Sequence, residues 1–411
     1  MQMRTMKKYL LIVLLQLPLL AGAQEYDLLI KNGKVIDPKN KIDENRDVAV
    51  KDGKIVKVAA SLAVKDAKKW IDAKGLIVTP GLIDIHTHVF VGGTPEKFAN
   101  GSYSVSPDDF TFRAGITTVV DAGTSGWRNF PQFKEQVIDK SKTRILAFLN
   151  ISGNGMTGGA SEQNLSDMDA FLTAMVAKEN PDIVVGVKIG HYEGKDWAPF
   201  DRALDAAKQF DHPLFVECHL PQYTLEEQLN KMRPGDIITH SYEKVDERMA
   251  VTDEQDKVRP FVLDAQKKGV LFDVGHGGAG FWFSVAIPAY KQGLAPNTFG
   301  TDLHRFSMNA GMKDMLNVMS KYFNLGMSIE DVVLRATWNA AKSVKKEDLG
   351  SLTVGSAADI ALIRITEGDF GYMDAGGFKL QGNKKLIAEL TVRAGKVVWD
   401  LNGLSGKPLE K

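Results

Sequence analysis

The sequence predicts an α/β fold in which a (β/α)8 TIM-type barrel carries a small β-sandwich domain built from both chain ends. Three observations lead there: eight short apolar runs alternate with longer helical patterns, both ends of the chain are β-rich, and ionisable residues gather where the apolar runs finish. Alternating strand-like and helix-like segments argue for parallel strands joined by crossover helices, and eight such units suggest a closed barrel.

At the start, Arg4, Lys7 and Lys8 precede an apolar run from Tyr9 to Leu20, followed by Ala21-Gly22-Ala23. A basic flank, a short apolar stretch and small residues form the layout of a secretory signal peptide, so residues 1–23 are expected to be removed and the protein exported, to a periplasm by the length and layout of the leader. The run is shorter than the roughly 20 apolar residues a bilayer crossing requires, so the mature chain is expected to have no membrane partner. Gln24 occupies the place where a lipoprotein would need cysteine.

Residues 24–80 are expected to form the first part of the small domain. Short β-rich runs, Tyr26 to Ile30, Lys34 to Ile36, Asp47 to Val50, Lys54 to Val58 and Lys69 to Asp72, are punctuated by Asn32-Gly33 and Asp52-Gly53, both read as hairpin turns. Residues 346–411 return to that texture in Asp359 to Ile365 and Leu386 to Val398, with Gly395 as turn residue.

The barrel is assigned to residues 81–345. Its strands are read at Leu82 to Val89, Thr117 to Gly123, Arg144 to Ser152, Ile183 to Gly190, Pro213 to Leu220, Asp236 to Ser241, Leu271 to Gly277 and Thr298 to Asp302, with helical patterns at Phe200 to Phe210, Asp253 to Lys268 and Ser328 to Ser343. Gly153 to Gly159 lacks the Gly-Lys-Ser/Thr ending of a phosphate-cradling loop and is read as an active-site loop. Gly275 to Gly280 matches Gly-x-Gly-x-x-Gly, but its seventh place in the strand series is wrong for a dinucleotide fold.

Composition narrows the function. The chain is 44% hydrophobic and 25% charged, within the globular range. Removing Arg4, Lys7 and Lys8 takes 51 basic residues to 48 against 51 acidic ones, which offers no electrostatic case for nucleic acid. A small-molecule substrate fits, and association of identical copies is compatible with the sequence. Cys218 is the one cysteine, so no intramolecular disulfide can form, and its apolar surroundings read as a buried small side chain.

Barrels place their chemistry at the C-terminal ends of the strands. His86 and His88 finish the first run, Lys188 the fourth, His219 the fifth, His240 the sixth, His276 the seventh and Asp302 the eighth. Residues two apart in a strand share a side, so His86 and His88 can face one metal together. A glycosidase on this fold would need two acids rather than four histidines and a lysine. His191 and His304 lie just beyond strand ends, within reach of a substrate, whereas His212 precedes a strand and is read as solvated. Trp127, Trp282 and Phe283 are read as packing residues, with pocket lining as the alternative.

Thr79-Pro80-Gly81-Leu82-Ile83-Asp84-Ile85-His86-Thr87-His88 resembles the first-strand signature of the amidohydrolase superfamily. Val187-Lys188, Glu217-Cys218-His219, Thr239-His240 and Gly300-Thr301-Asp302 resemble its binuclear-metal subgroup in order and spacing. Ala336-Thr337-Trp338-Asn339-Ala340-Ala341 and Gly350 to Asp359 are similar to the return into the family's small β domain.

The resemblance implies two divalent metals, zinc first with manganese, iron or cobalt as alternatives, held by His86, His88, Lys188, His219, His240 and Asp302. It implies a carboxylated Lys188 as the bridging ligand: a bare ammonium would repel two divalent cations, whereas a carbamate brings oxygen donors and negative charge. His86, His88 and Asp302 would take the more buried metal, His219 and His240 the more exposed one. A hydroxide between the metals would attack the substrate, and Asp302 would carry the proton to the leaving group.

Val274-Gly275-His276-Gly277-Gly278-Ala279-Gly280 resembles the strand-seven loop of the deacetylase branch, which implies substrate contact by His276 and Gly277. The expected activity is therefore hydrolysis of an amide C–N bond in a small N-acyl or acetylated substrate. A cyclic amidase of dihydroorotase or hydantoinase type and a non-catalytic binding barrel are the alternatives.

Overall fold

A computed structural model describes residues 24–92, 102–217, 220–246, 248–407 and 409. The expected signal peptide, Cys218 and His219 lie outside the described residues.

Among the described residues five strands come first: β1 (Leu28–Asp37), β2 (Ile42–Lys51), β3 (Lys54–Ala59), β4 (Trp70–Asp72) and β5 (Ile77–Pro80). Seven follow in the middle: β6 (Leu82–Thr87), β7 (Ile116–Gly126), β8 (Arg144–Asn150), β9 (Val184–Gly190), β10 (Leu214–Glu217), β11 (Ile237–Ile238) and β12 (Leu271–Phe272). Three come last: β13 (Ile360–Met373), β14 (Lys379–Arg393) and β15 (Lys396–Asp400).

The middle strands form one parallel sheet in the order β12-β11-β10-β9-β8-β7-β6. Strands such as β6 and β7 are buried at every position, which is why they read as continuous apolar runs rather than as alternation. Residues 298–303 lie between the two edges of that sheet. Val274 N donates to Thr298 O at 3.2 Å, Leu303 N to His86 O at 3.2 Å, and His88 N to Leu303 O at 2.8 Å. Thr298 bridges Asp273 and Leu303 bridges Thr87, both in parallel sense. Ile83, Ile85, Val120, Ala122, Leu146, Phe148, Val185, Phe215 and Ile237, from six consecutive strands, pack with Ala340 and Ala341 into one buried cluster. Phe215 of that cluster meets the His86 ring edge-on at 5.0 Å, so the cluster floors the site.

The other strands join the two chain ends in a second sheet, ordered β15-β14-β13-β5-β1-β2-β3 with β4 on β1. It is one hydrogen-bonded path rather than the two sheets of a sandwich. Leu28, Ile30, Val48 and Val78 from one end share a core with Ile360, Leu362, Leu390 and Val392 from the other.

Asp52 (φ 50°) and Gly53 (φ 73°) make the expected tight turn between β2 and β3. Asn32-Gly33 does not turn the chain. It forms a bulge within β1, where the register shifts between Ile30 and Gly33, and a Cβ at Gly33 would lie 2.4 Å from Val78 Cγ2.

Of the three helical patterns, the first is the helix Ala198–Gln209, while the other two are shorter than the sequence suggested: Pro260–Lys268, and the pair Ile329–Ala336 and Trp338–Ser343. The second starts late because Asp253 Oδ1 accepts Gln255 N and Lys257 N, folding that segment into a loop, and Pro260 then opens the helix. The last pair breaks at Thr337 (φ −131°, ψ −90°). Among the described residues no helix is long and apolar enough to cross a membrane.

Candidate metal centre

His86 lies near the end of β6 and His88 directly follows that strand, each ring bonded to a threonine hydroxyl. His86 Nδ1 lies 2.9 Å from Thr239 Oγ1, and that hydroxyl donates to Asp273 Oδ2 at 2.9 Å. A hydroxyl has one proton to give, so Thr239 accepts from His86 Nδ1–H, and the imidazole must keep its lone pair on Nε2. Burial pushes His86 down to about 4, so the ring is neutral at pH 7. Nε2 is buried without a hydrogen-bond partner and points towards Asp302 Oδ1, 3.4 Å away. His88 is seated in a related way. Its Nδ1 lies 2.9 Å from Thr124 Oγ1, the Thr124 backbone N–H donates to Asp121 Oδ1 at 2.8 Å, and its Nε2 is 3.2 Å from Asp302 Oδ1. Asp273 also accepts Thr298 Oγ1 at 2.6 Å and Gly300 N at 2.7 Å, so it supports the 298–303 segment as well as a histidine.

A second group faces this one across the His86 ring. Lys188, fully buried on β9, donates to Glu217 Oε2 at the end of β10. Glu217 Oε1 is 3.1 Å from His240 Nε2 and 3.2 Å from His191 Nε2. His240 donates from Nδ1 to Gly275 O at 2.6 Å, and Glu217 lifts the ring to about 9 although burial opposes its charge. Gly123 makes room for the lysine: a Cβ there would come 2.6 Å from Lys188 Cγ.

Three of these residues carry left-handed backbone, His191 (φ 62°), His240 (φ 53°) and Asp302 (φ 51°). Such conformations are costly outside glycine, on the order of 1–3 kcal/mol each, and gather at functional sites.

His86, His88 and Asp302 present ligand atoms within 4.8 Å of one another, and so do His86, Glu217 and His240. Imidazole nitrogens beside carboxylates form a donor set suited to divalent cations, and the neutral His86 with its orphaned Nε2 gives that set a direction. The residues present fit a metal. Of the sequence candidates, His86, His88, Lys188, His240 and Asp302 converge here, while His219 follows Glu217 outside the described residues.

Other expectations meet different geometry. Gly277 lies against Asp302, with its Cβ position 2.0 Å from Oδ2. His276 turns away from the site: its ring is fully buried, Nδ1 bonds Gly277 O at 3.1 Å and Nε2 meets Lys321 Nζ at 2.5 Å. With both nitrogens engaged by protein, the ring has no donor or acceptor left for a substrate. His304 Nε2 stands 3.7 Å from Asp302 Oδ2. His212 bonds Phe210 O and stacks on that ring, while Trp127 and Trp282 bond Asp167 O and Ala279 O, which leaves all three in packing roles.

Sequence reasoning passed over Glu217, Thr239, Thr124, Asp121 and Asp273. Glu217 sits at a strand end like the others but was overshadowed by its neighbour His219. The threonines and aspartates carry no spacing signal that separates them from ordinary strand residues.

The amidohydrolase family profile matches residues 285–398. A Brucella anthropi protein named deacetylase is 32% identical over 370 residues, covering 87% of this chain and 89% of its own length. A crystal structure of an adenine deaminase superimposes with a TM-score of 0.83 at 29% identity, covering 91% of this chain and all of the other. One of a dihydroorotase gives 0.81 at 28% identity, with 91% and 99% covered.

Proposed function

Because the chain belongs to the amidohydrolase family, we propose that it hydrolyses the amide bond of a small N-acyl or acetylated substrate on a closed (β/α)8 barrel spanning residues 81–345. The 298–303 segment acts as the eighth strand in this reading. The observation that carries it is the shared His86, whose bare Nε2 faces Asp302 while its ring joins the two ligand groups.

His86, His88 and Asp302 would hold one divalent metal, His240 and His219 a second, with a carboxylated Lys188 between them and zinc as the first choice. Glu217 offers a further carboxylate at the second position. Metals so held would supply water activated at neutral pH and polarise the acyl carbonyl. The Thr239–Asp273 pair fixes the tautomer and aim of His86, so no proton need leave it on binding, and Thr124, bonded to Asp121, orients His88. Asp302 takes the proton released on attack and returns it to the leaving nitrogen. The Gly277 backbone lines the same carboxylate and shapes the place beside it.

The name of the Brucella relative favours acyl removal, whereas the dihydroorotase structure keeps a cyclic amide as the second reading. Export after cleavage behind Ala23 belongs to the same proposal. Acetate release from a panel of N-acetyl and O-acetyl acids, with dihydroorotate and hydantoin alongside, tests it. Chelator-sensitive acetate release is the expected outcome. Turnover of the cyclic amides alone selects the second reading, and no turnover by metal-loaded protein contradicts both.

A further inference from the structure

Lys321 is buried to the same degree as Lys188 but has no part in the site. It lies in the helix Met315–Asn324, fully buried, and its ammonium reaches Gly311 O at 2.8 Å and His276 Nε2 at 2.5 Å. The Phe281 ring lies 5.4 Å below it. No carboxylate is in hydrogen-bond reach of it among these contacts, which is an expensive way to bury an amine unless its position is used.

His276 is the only large side chain in the run Gly275-His276-Gly277-Gly278-Ala279-Gly280, which forms a wall of the candidate centre. Gly275 O receives His240 Nδ1–H at 2.6 Å, and a Cβ on Gly280 would lie 2.2 Å from the same ring nitrogen. Gly277 packs on Asp302 and donates its N–H to Thr301 O at 2.9 Å. Four glycines in six residues give this wall little stiffness of its own. The histidine side chain adds a hold beyond these backbone bonds. The His276 ring stacks on Phe281 at 5.0 Å. Its Nδ1 faces a carbonyl, so the proton sits there, and Nε2 presents a lone pair to the Lys321 ammonium. One tautomer satisfies both ends.

We propose that Lys321 is a positioning residue that latches the Gly275–Gly280 wall against Asp302 and His240 through the His276 ring. This rests on the hydrolytic reading above for its effect on turnover, but the latch itself does not. The order of action is Lys321 Nζ–H to His276 Nε2, then His276 Nδ1–H to Gly277 O. With the amino group removed, Nε2 is a buried acceptor without a donor, the ring can exchange tautomers, and the Gly277 peptide loses its orienting bond.

The test compares Lys321→Met, which keeps the chain length and removes the donor, with Lys321→Gln, which keeps a donor. Hydrogen exchange across residues 275–282 and imidazole 15N shifts of His276 are read on the full-length metal-loaded proteins. Turnover of 4-nitrophenyl acetate and metal content are measured on the same samples. In Lys321→Met the wall should lose exchange protection and His276 its single Nδ1–H form. Its kcat should fall on the order of 10-fold with KM little changed and metal content kept, since outer supports of this kind are worth about 10–100-fold. Lys321→Gln should recover part of each. Unchanged protection and tautomer in Lys321→Met overturn the latch whatever the turnover shows. Equal losses in Met and Gln variants, or a loss tracking metal content, overturn it too. A wild-type enzyme inert to the ester bears only on the hydrolytic reading, and the exchange and 15N measurements still decide the latch.

Discussion

The two halves of the candidate centre are built on opposite principles. Around His86 the side chains are neutral, with Thr239 and Asp273 fixing which nitrogen is bare, and His88 beside it is seated on Thr124 and Asp121. Around Glu217 the charges are already engaged with one another, with Lys188, His240 and His191 all turned on a single carboxylate. The first half is ready for a cation as it stands. The second half must exchange one cation for another, and carboxylation of Lys188 would do that by removing the charge Glu217 now neutralises.

The contrast can be broken by substitution. Asp302→Ala should give the largest effect, since in the proposed mechanism Asp302 joins the first half to the proton transfer: hydrolysis should fall by about 10²–10⁴-fold or more, read as kcat on the acetylated panel. Activity within a few fold of wild type would remove Asp302 from the mechanism. Next, Lys188→Met should destabilise the metal-free protein by about 3 kcal/mol in a denaturant titration, because it takes the cation from a buried carboxylate, and Lys188→Met with Glu217→Gln should recover much of that. If the double variant is no better than the single, the second half is not held by charge cancellation.

Smaller effects sharpen the comparison. Thr239→Val and Thr124→Val should each weaken metal binding by about 10–100-fold in a competition titration with a chelator. Thr239 should cost more, because His86 belongs to both ligand groups. Equal, negligible effects would show that packing alone sets the histidine tautomers. The smallest effect concerns Lys321, a buried lysine whose partners are neutral. Burial lowers it to about 7 from 10.5, so between those values the unfolded chain binds more protons and stability rises with pH. Lys321→Met should flatten that rise in thermal unfolding measured across the window, and an unaltered slope would mean the amine is solvated.

Much of this architecture was legible because strands buried on both faces leave continuous apolar runs, and because a barrel puts its polar residues at their ends. Elements set by hydrogen bonding rather than burial were not. Asn32-Gly33 carries a turn signature yet serves a bulge, since β1 must pass close to Val78. β11 and β12 are only two residues each, shorter than the apolar runs that contain them. His276 ends its run as the others do, and only the fold shows that Lys321, 45 positions on, takes its ring away from the site. Thr239, Thr124, Asp121 and Asp273 were invisible for a related reason: a support is recognised by what it touches, and sequence spacing does not encode those contacts.

The most direct measurement is elemental analysis of the purified mature protein, giving moles of each transition metal per chain after expression with metal and bicarbonate. The account predicts about two per chain in the wild type and a clear loss in Lys188→Ala, as a two-metal site with a lysine-derived bridge requires. Folded wild-type protein that holds no metal, and takes up none when it is added, would contradict it.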